Sequence, residues 1–185
     1  MPSSDALRRA FSRAAHRAGR VSVVVVDSRG RLHGLHPWRP FVGVSVVKAM
    51  LLVAYLRGQP APSAGMRGFR PSGGWITTRI TAADMALFFR DMERYIPARQ
   101  RRFANALLAG ITPSQSWGIP AAARPMGYRD YLKGGWLGAF ELAHRAARLE
   151  RRRLRVGLAV FTDGNPGSQY GRDTFRGDTE RLLRR

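Results

Sequence analysis

The sequence predicts an α+β fold with three layers, in which helices pack on both faces of one antiparallel sheet built from the two ends of the chain. A β-branched run at residues 21–26 is followed by turn residues at 27–30, which is typical of a hairpin. Three further strand-like segments follow one another between residues 128 and 162. Helical patterns precede the first strands, separate the two groups of strands and end the chain. This order favours a single sheet packed by helices.

The N-terminal part is predicted to be a helix, a hairpin, a loop and a second helix. The first helix is expected at residues 4–18, and the hairpin occupies residues 21–36. Pro37 and Pro40 cannot donate to a sheet ladder, so they predict a loop. That loop leads into the apolar run 49–56, which is typical of a buried helix.

The middle of the chain is predicted to be helical. Thr81 and Asp84 have the spacing of an N-cap and an acidic third position, and they begin a helix that reaches about Arg94. Pro97 opens another helix, which Gly110 ends. The remaining expected elements are a weakly structured segment at 58–74, strands at about 128–136, 139–149 and 154–162, and a helix at 173–184.

Length and composition limit the number of domains and the classes of protein to which the chain could belong. A chain of 185 residues with 44% hydrophobic residues predicts a single domain, residues 1–185, with a substantial core. No run approaches the ~18 uninterrupted apolar residues of a membrane span. The Ala- and Arg-rich N-terminus has no apolar segment of the kind that defines an export signal. The absence of cysteine excludes disulfides, thiolate metal sites and a cysteine nucleophile.

The net charge of +20 raises the possibility of a polyanionic partner. The arginines are spread from Arg8 to Arg185, with short clusters such as 101–102 and 151–153, and no nucleic-acid recognition module is visible. A diffuse excess of arginine is explained by genomic base composition, so no specific nucleic-acid partner is predicted. A polyanion-binding basic protein stays open as an alternative.

Two lysines stand out among 32 basic residues, because all the others are arginines. Lysine can lose its proton and act as a base when buried, whereas the arginine guanidinium stays charged. Lys48 ends the motif Ser45-Val46-Val47-Lys48 at the head of the apolar helix, where positions i and i+3 share a face. Lys133 begins Lys133-Gly134-Gly135-Trp136 on a predicted strand, whose glycines permit close approach to the backbone. Both lysines are therefore candidates for chemistry.

These motifs and their order resemble the class A β-lactamase and penicillin-binding-protein superfamily. The Ser-x-x-Lys motif opens an apolar helix, and the Lys-Gly-Gly motif precedes two more strands and a closing helix. Further stretches are similar to an actinobacterial branch of serine hydrolases in this superfamily: 36–41, 80–85, 117–120 and 162–166. The resemblance implies a β-lactamase-like or transpeptidase-like fold and an extracytoplasmic location.

The resemblance also implies catalytic roles for three residues. Ser45 would be the nucleophile that attacks an acyl carbon, Lys48 would be its general base, and Lys133 would supply positive potential. The backbone N–H groups of Ser45 and Trp136 would form the oxyanion hole. Gly134 and Gly135 would lie along the bound substrate. The activity implied is acyl transfer through a Ser45 acyl-enzyme on β-lactam, amide or ester substrates, without a metal or other cofactor.

The sequence departs from that superfamily in ways that predict impaired turnover. The superfamily's Ser-x-Asn element has no match, because the most similar segment, Ser63-Ala64-Gly65, lacks the asparagine. No Asp or Glu lies between Arg57 and Thr81, so a carboxylate to activate the deacylating water is missing. Only 84 residues separate Lys48 from Lys133, which implies that much of the helical lobe is absent. Gly134 stands where members of the superfamily have a hydroxyl residue after the strand lysine.

Plainer interpretations remain for several residues. Ser45 could cap a core helix with Lys48 reaching its edge, and Lys133 could be a charge that protects an edge strand. His33 and His36 lack a third zinc ligand, so no metal site is predicted. His144 is expected to be solvated. The tryptophans 75, 117 and 136 are expected to pack in the core or line a cleft.

The sequence thus favours an enzyme, a monomeric serine hydrolase acting on a small β-lactam-like or peptidoglycan-like substrate. A β-lactamase-like protein that binds cell-wall fragments without catalysis is the alternative, together with the polyanion binder named above.

Overall fold

The computed structural model describes residues 2–58, 77–138 and 141–184. Its helices and strands, in chain order, are α1 (Ser4–Ala15), β1 (Arg20–Val26), β2 (Leu32–Leu35), β3 (Pro40–Val42), α2 (Lys48–Leu56), β4 (Arg79–Thr81), α3 (Ala82–Asp91), α4 (Arg101–Ala109), α5 (Ile119–Ala123), β5 (Arg129–Leu137), β6 (Leu142–Arg151), β7 (Leu154–Asp163) and α6 (Ser168–Leu183).

The main sheet has five antiparallel strands in the order β2-β1-β7-β6-β5. The N-terminal hairpin therefore pairs with the C-terminal strands through β1 and β7, from Arg20↔Asp163 to Val26↔Gly157. This confirms the predicted sheet built from both chain ends. β5 is an edge strand of this sheet, and the residues that carry the Lys-Gly-Gly motif lie on it.

Helices on the two faces of the sheet bury two separate cores. One core packs α2 and α3 against the sheet, with Phe89 and Phe161 fully buried. The other packs α1 and α6 against the opposite face, with Phe175 fully buried. Because side chains alternate along a strand, each strand supplies residues to both cores. The result is the expected three-layer architecture.

Local signals place several helix ends. The Thr81 hydroxyl accepts a hydrogen bond from Asp84 N at 3.1 Å and donates to the Asp84 carboxylate, which confirms the predicted N-cap of α3. Ser3 caps α1 in the same way, by accepting from Ala6 N. Gly110 follows the end of α4, as the sequence predicts.

The loop predicted at residues 36–40 is wrong in its last part. Pro40–Val42 forms β3, which pairs with β4 in a separate two-stranded sheet. Pro40 is the first residue of this strand, a position where its missing N–H is tolerated. The short pairing with residues almost forty positions away is a tertiary contact that periodicity does not reveal.

Other boundaries also differ from the predictions. α6 begins at Ser168, five residues before the expected start, and α5 was not predicted as a helix. Ser45 lies in a 3₁₀ helix, Val44–Val47, and the α-helix begins only at Lys48. In the described part of the chain, no helix combines the length and hydropathy needed to cross a membrane.

Candidate active site

Ser45 occupies a tight turn at the head of α2. Residues Val44–Val47, called here the Ser45 turn, form a 3₁₀ helix whose three-residue repeat eclipses positions i and i+3. Ser45 and Lys48 therefore project from the same side. Ser45 is partly buried and Lys48 is exposed. The second N–H of a helix has no intrahelical partner, so Ser45 N is one of the donors that a helix start leaves for an anion.

Val44 has an unusual backbone conformation directly before Ser45. Its φ is +42°, in the left-handed region that β-branched residues rarely adopt. Such a conformation costs on the order of 1–3 kcal/mol and persists only where the surrounding structure imposes it. Strain of this kind is concentrated at functional sites, so Val44 marks the Ser45 turn as a candidate reactive centre.

The Ser45 turn is held from two sides. Gly43 N donates a hydrogen bond of 2.6 Å to Thr78 O, which continues the β3–β4 ladder up to the turn. On the other side, β5 approaches so closely that a Cβ on Gly135 would lie 2.6 Å from both Ser45 N and Val44 Cγ2. No side chain fits in that space. The glycine of the Lys-Gly-Gly motif is therefore required for the edge strand to contact the Ser45 turn.

Lys133 lies on the same face of β5 as Gly135 and is partly buried. Its Nζ donates a hydrogen bond of 2.7 Å to Gly134 O. Burial lowers the pKa of the Lys133 amine, and the charges of Lys48 and Arg145 lower it further. The two lysines that the sequence singled out are therefore within electrostatic range of each other.

Trp136 follows Gly135 on β5, opposite Ala143 of β6. Its indole packs near that of Trp117, with ring centroids 5.9 Å apart, and both rings lie against the α1–α6 core. This agrees with the expectation that these tryptophans pack in the core or line a cleft. Trp75 and the segment 63–65 lie outside the described residues.

Arg145 is a site residue that the sequence reasoning missed. It lies opposite Gly134 in the β5–β6 register, and a Cβ on Gly134 would be 3.6 Å from Arg145 Cζ. The side chain is fully buried, its Nη2 donates to Gln115 O at 2.7 Å, and its guanidinium stacks on Trp117 at 3.5 Å. The sequence signal that could have identified it is an arginine whose neighbours on the same strand face, Ala143 and Ala147, are both small and apolar.

The Arg145 guanidinium has no carboxylate in direct contact among the described residues. Its Nε and Nη1 atoms are buried and have no hydrogen-bond partner there. Burial lowers the pKa of Arg145 to about 9, and the charge of Arg172 acts in the same direction, while Asp130 opposes it. Lys48, Lys133 and Arg145 together make this end of β5 strongly positive.

The prediction that His144 is solvated is wrong. His144 is fully buried, stacked on Phe161 at a centroid distance of 4.4 Å and edge-on to Phe41 at 5.3 Å. Burial lowers its pKa to about 4, so the imidazole is neutral near pH 7. The error arose because β6 is covered on both faces, which the alternation of polar and apolar residues did not reveal.

The histidine pair considered as a zinc site is not part of a metal cluster in the described ranges. His33 Nε2 lies 3.4 Å from Asp27 Oδ2. Across residues 2–58, 77–138 and 141–184, no three His, Asp or Glu side chains form a group able to hold a metal ion.

Comparisons with known proteins were informative only at the level of structure. No protein-family model and no curated protein sequence matches the chain. Among solved structures, the β-lactamase of Sphaerobacter thermophilus DSM 20745 has 17% identity and a TM-score of 0.78, covering 98% of this chain and 97% of its own. PBP-A has 10% identity and a TM-score of 0.77, covering 98% and 96%.

The β-lactamase of Streptosporangium roseum has 12% identity and a TM-score of 0.74, with 97% of each chain covered. Further matches are ancestral class A β-lactamases, at 16% identity. At identities of 10–17% these matches establish the fold, which is that of class A β-lactamases and PBP-A. The resemblance inferred from the sequence is thereby confirmed at the level of fold.

Proposed function

We propose that this chain is a serine hydrolase that forms an acyl-enzyme through Ser45 on β-lactam, amide or ester substrates. The observation that carries the proposal is the strained backbone of Val44, directly before Ser45, in close contact with Gly135, while the charge of Lys48 acts on Lys133 two residues before that glycine. The shared fold supports it, because one of the similar structures is a PBP-A mutant captured as an acyl-enzyme complex with penicillin G.

In the proposed acylation, the Ser45 oxygen attacks the substrate carbonyl carbon while Lys48 takes the hydroxyl proton. The carbonyl oxygen becomes an oxyanion, which accepts hydrogen bonds from the N–H groups of Ser45 and Trp136. The carbon–nitrogen or carbon–oxygen bond then breaks, and the leaving group receives the proton from Lys48. The position of Ser45 at a helix start and of Trp136 next to Gly135 supports these proposed roles.

Lys133 and Arg145 are proposed to attract the carboxylate of the substrate. Both are cationic, and they flank Gly134 on adjacent positions of β5 and β6. Arginine makes charge-assisted hydrogen bonds to carboxylates, and Nε and Nη1 of Arg145 have no hydrogen-bond partner among the described residues. Because Arg145 is buried beneath Trp117, we expect this ring to move when a carboxylate binds.

Deacylation is proposed to be slow. α2 ends at Leu56 and β4 begins at Arg79, and the linking sequence contains no Asp or Glu. Hydrolysis of an ester intermediate needs a base to activate water, and this part of the chain cannot supply a carboxylate. A long-lived covalent adduct is the expected outcome. We propose that the physiological substrates are extracytoplasmic cell-wall peptides or β-lactams.

Intact-mass spectrometry after incubation with a fluorescent penicillin tests the proposal. The wild-type chain should gain the mass of one penicillin and keep it for many minutes, whereas Ser45→Ala should gain none. Ser12→Ala, an exposed serine on α1, is the matched control and should label like the wild type. If Ser45→Ala labels as strongly as the wild type, Ser45 is not the nucleophile. If the wild-type adduct is lost rapidly, deacylation is not slow.

A binding protein without catalysis is the second candidate, favoured by the exposure of Lys48. A general base must be held at hydrogen-bonding distance from the proton it removes, and an exposed side chain is held less firmly than a buried one. This candidate predicts measurable affinity for muropeptides, by isothermal titration calorimetry, with no covalent adduct. Turnover of any acyl substrate would exclude it.

A further inference from the structure

His144 lies directly beside Gly135, on the same face of the sheet. The two residues are opposite each other in the β5–β6 register, and residues in register share a face. Gly135 contacts the Ser45 turn, and His144 contacts the strand that leads into it. Together they form the surface on which the segment from Val42 to Ser45 rests.

The contact between His144 and β3 is a hydrogen bond to a carbonyl that the β3–β4 ladder does not use. Gly43 N donates to Thr78 O, so this pair is a hydrogen-bonded one. Pairs alternate in an antiparallel ladder, which makes the neighbouring pair Val42↔Arg79 non-hydrogen-bonded, with its carbonyls directed away from the partner strand. His144 Nε2 lies 2.9 Å from Val42 O.

The neutral ring has only one N–H, and the surroundings decide which nitrogen carries it. Nδ1 lies 2.6 Å from Ala143 O, which also accepts a hydrogen bond of 3.0 Å from the Thr162 hydroxyl. Among the described residues, a proton on Nε2 gives Ala143 O and Val42 O one side-chain donor each, whereas a proton on Nδ1 gives Ala143 O two and Val42 O none. We take the proton to be on Nε2, donating to Val42 O.

We propose that His144 is a positioning residue for Ser45, holding the Val42 carbonyl so that Val44 keeps its left-handed conformation. This inference rests on the proposed function. Three constraints then act on one short segment: the Gly43–Thr78 hydrogen bond, the contact with Gly135, and the His144–Val42 hydrogen bond. A backbone as strained as that of Val44 needs such constraints. A buried imidazole is costly unless it is hydrogen-bonded, so its presence between two phenylalanines fits this role.

A pair of substitutions separates the hydrogen bond from the packing. His144→Phe keeps an aromatic ring between Phe41 and Phe161 but loses the donor, while His144→Gln keeps an N–H donor near the position of Nε2. Thr179→Val is the control, because it removes another buried side-chain hydrogen bond, to Phe175 O, in α6. Stopped-flow labelling with the fluorescent penicillin gives the acylation rate constant and the dissociation constant separately.

We expect His144→Phe to lower the acylation rate constant about tenfold with little change in the dissociation constant, since a tenfold rate change reflects only a small loss of alignment. His144→Gln should recover most of the rate, and Thr179→Val should match the wild type. Wild-type acylation by His144→Phe would overturn the inference and leave the proposed function standing.

An NMR measurement that needs no reaction at Ser45 tests the inference even if the wild-type chain never acylates or the His144→Phe chain fails to fold. In a long-range ¹H–¹⁵N spectrum of the wild type at pH 7, His144 should be a neutral imidazole protonated at Nε2. The Ser45 amide signal should shift in His144→Asn, whose shorter side chain cannot reach Val42 O, and should shift less in His144→Gln and in Thr179→Val. An Nδ1-protonated ring, or an unmoved Ser45 signal in His144→Asn, would refute the positioning role whether or not Ser45 reacts.

Discussion

Arg145 and Arg148 are both fully buried on β6, but their surroundings are opposite in kind. Arg148 Nη2 lies 3.2 Å from a Glu93 oxygen and donates to Asn105, and its Nε lies 3.2 Å from Glu150. Arg145 contacts the face of Trp117 and a backbone oxygen, with no carboxylate in contact among the described residues. The two arginines also project from opposite faces of the strand, as their burial in different cores requires.

This contrast separates a structural charge from one that is available for binding. Arg148, Glu93, Glu150 and Arg155 form a closed ion-pair network that ties β6 and β7 to the segment after α3. Nε and Nη1 lack a hydrogen-bond partner among the described residues in both Arg145 and Arg148, so the carboxylates near Arg148 make the difference. A buried cation beside carboxylates supports the fold, whereas a buried cation without them carries a desolvation cost that a function can explain. Arg145 is of the second kind and lies beside the candidate active site.

The largest effect is expected from breaking the paired arginine. Arg148→Met should lower the free energy of unfolding by about 3 kcal/mol, because it leaves Glu93 and Glu150 partly buried without their main cation. Urea denaturation measures this. Arg155→Met is the control, since Arg155 contacts the same two glutamates but is 43% exposed, and it should cost under about 1 kcal/mol. Equal losses for the two variants would contradict the assignment.

An intermediate effect concerns His144, the third buried polar residue on this stretch of β6. Its pKa is about 4 in the folded chain, against about 6.5 when unfolded, so the unfolded chain binds more protons between these values. The stability contributed by neutral His144 is therefore complete above about pH 6.5 and is lost as the pH falls towards 4. The maximum loss is on the order of 3 kcal/mol.

The comparison of wild type with His144→Gln, by urea denaturation from pH 4 to pH 7.5, isolates this contribution. Asp178 requires this design, because burial raises its pKa to about 6 and its effect on stability has the opposite sign in the same range. The stability difference between the two chains should change with pH, with the wild type losing more on acidification. A difference that stays constant with pH would mean that the pKa of His144 is the same in the folded and the unfolded chain.

The smallest effect on stability is expected from the unpaired arginine. Arg145→Met should change the free energy of unfolding by less than about 1 kcal/mol, because it removes a desolvated charge without orphaning a carboxylate. Its effect should instead be on binding, with labelling by a penicillin weakened about tenfold and labelling by the corresponding uncharged methyl ester unchanged. Equal weakening for both ligands would show that Arg145 supports the shape of the site and not carboxylate binding.

The comparison of paired with unpaired arginines also helps to interpret the high net charge of the chain. Several arginines form ion pairs with buried or partly buried carboxylates, including Arg13 with Asp178 and Arg124 with Asp130. These charges are used within the fold. The net charge of +20 still permits a polyanion partner, which steep loss of binding with added salt would reveal.

Much of the fold was predictable because its signals are local. The β-branched run of β1, the Thr81–Asp84 cap and the Gly110 stop each act within a few residues of chain. The pairing of β3 with β4 was not predictable in this way, since neither three-residue strand has a periodicity of its own.

The same distinction between local signals and long-range contacts applies to the candidate site. By itself, the sequence determined that Ser45 and Lys48 share a face, that Lys133 lies on a late strand, and that glycines follow it, because these are matters of short spacing. Only the tertiary structure decided that Gly135 touches the Ser45 turn, that Val44 is strained, that His144 is buried, and that Arg145 lacks a carboxylate where Arg148 has two. The physical reason is that contact, burial and charge pairing depend on the register between strands distant in the chain, and no local pattern of residue types specifies that register.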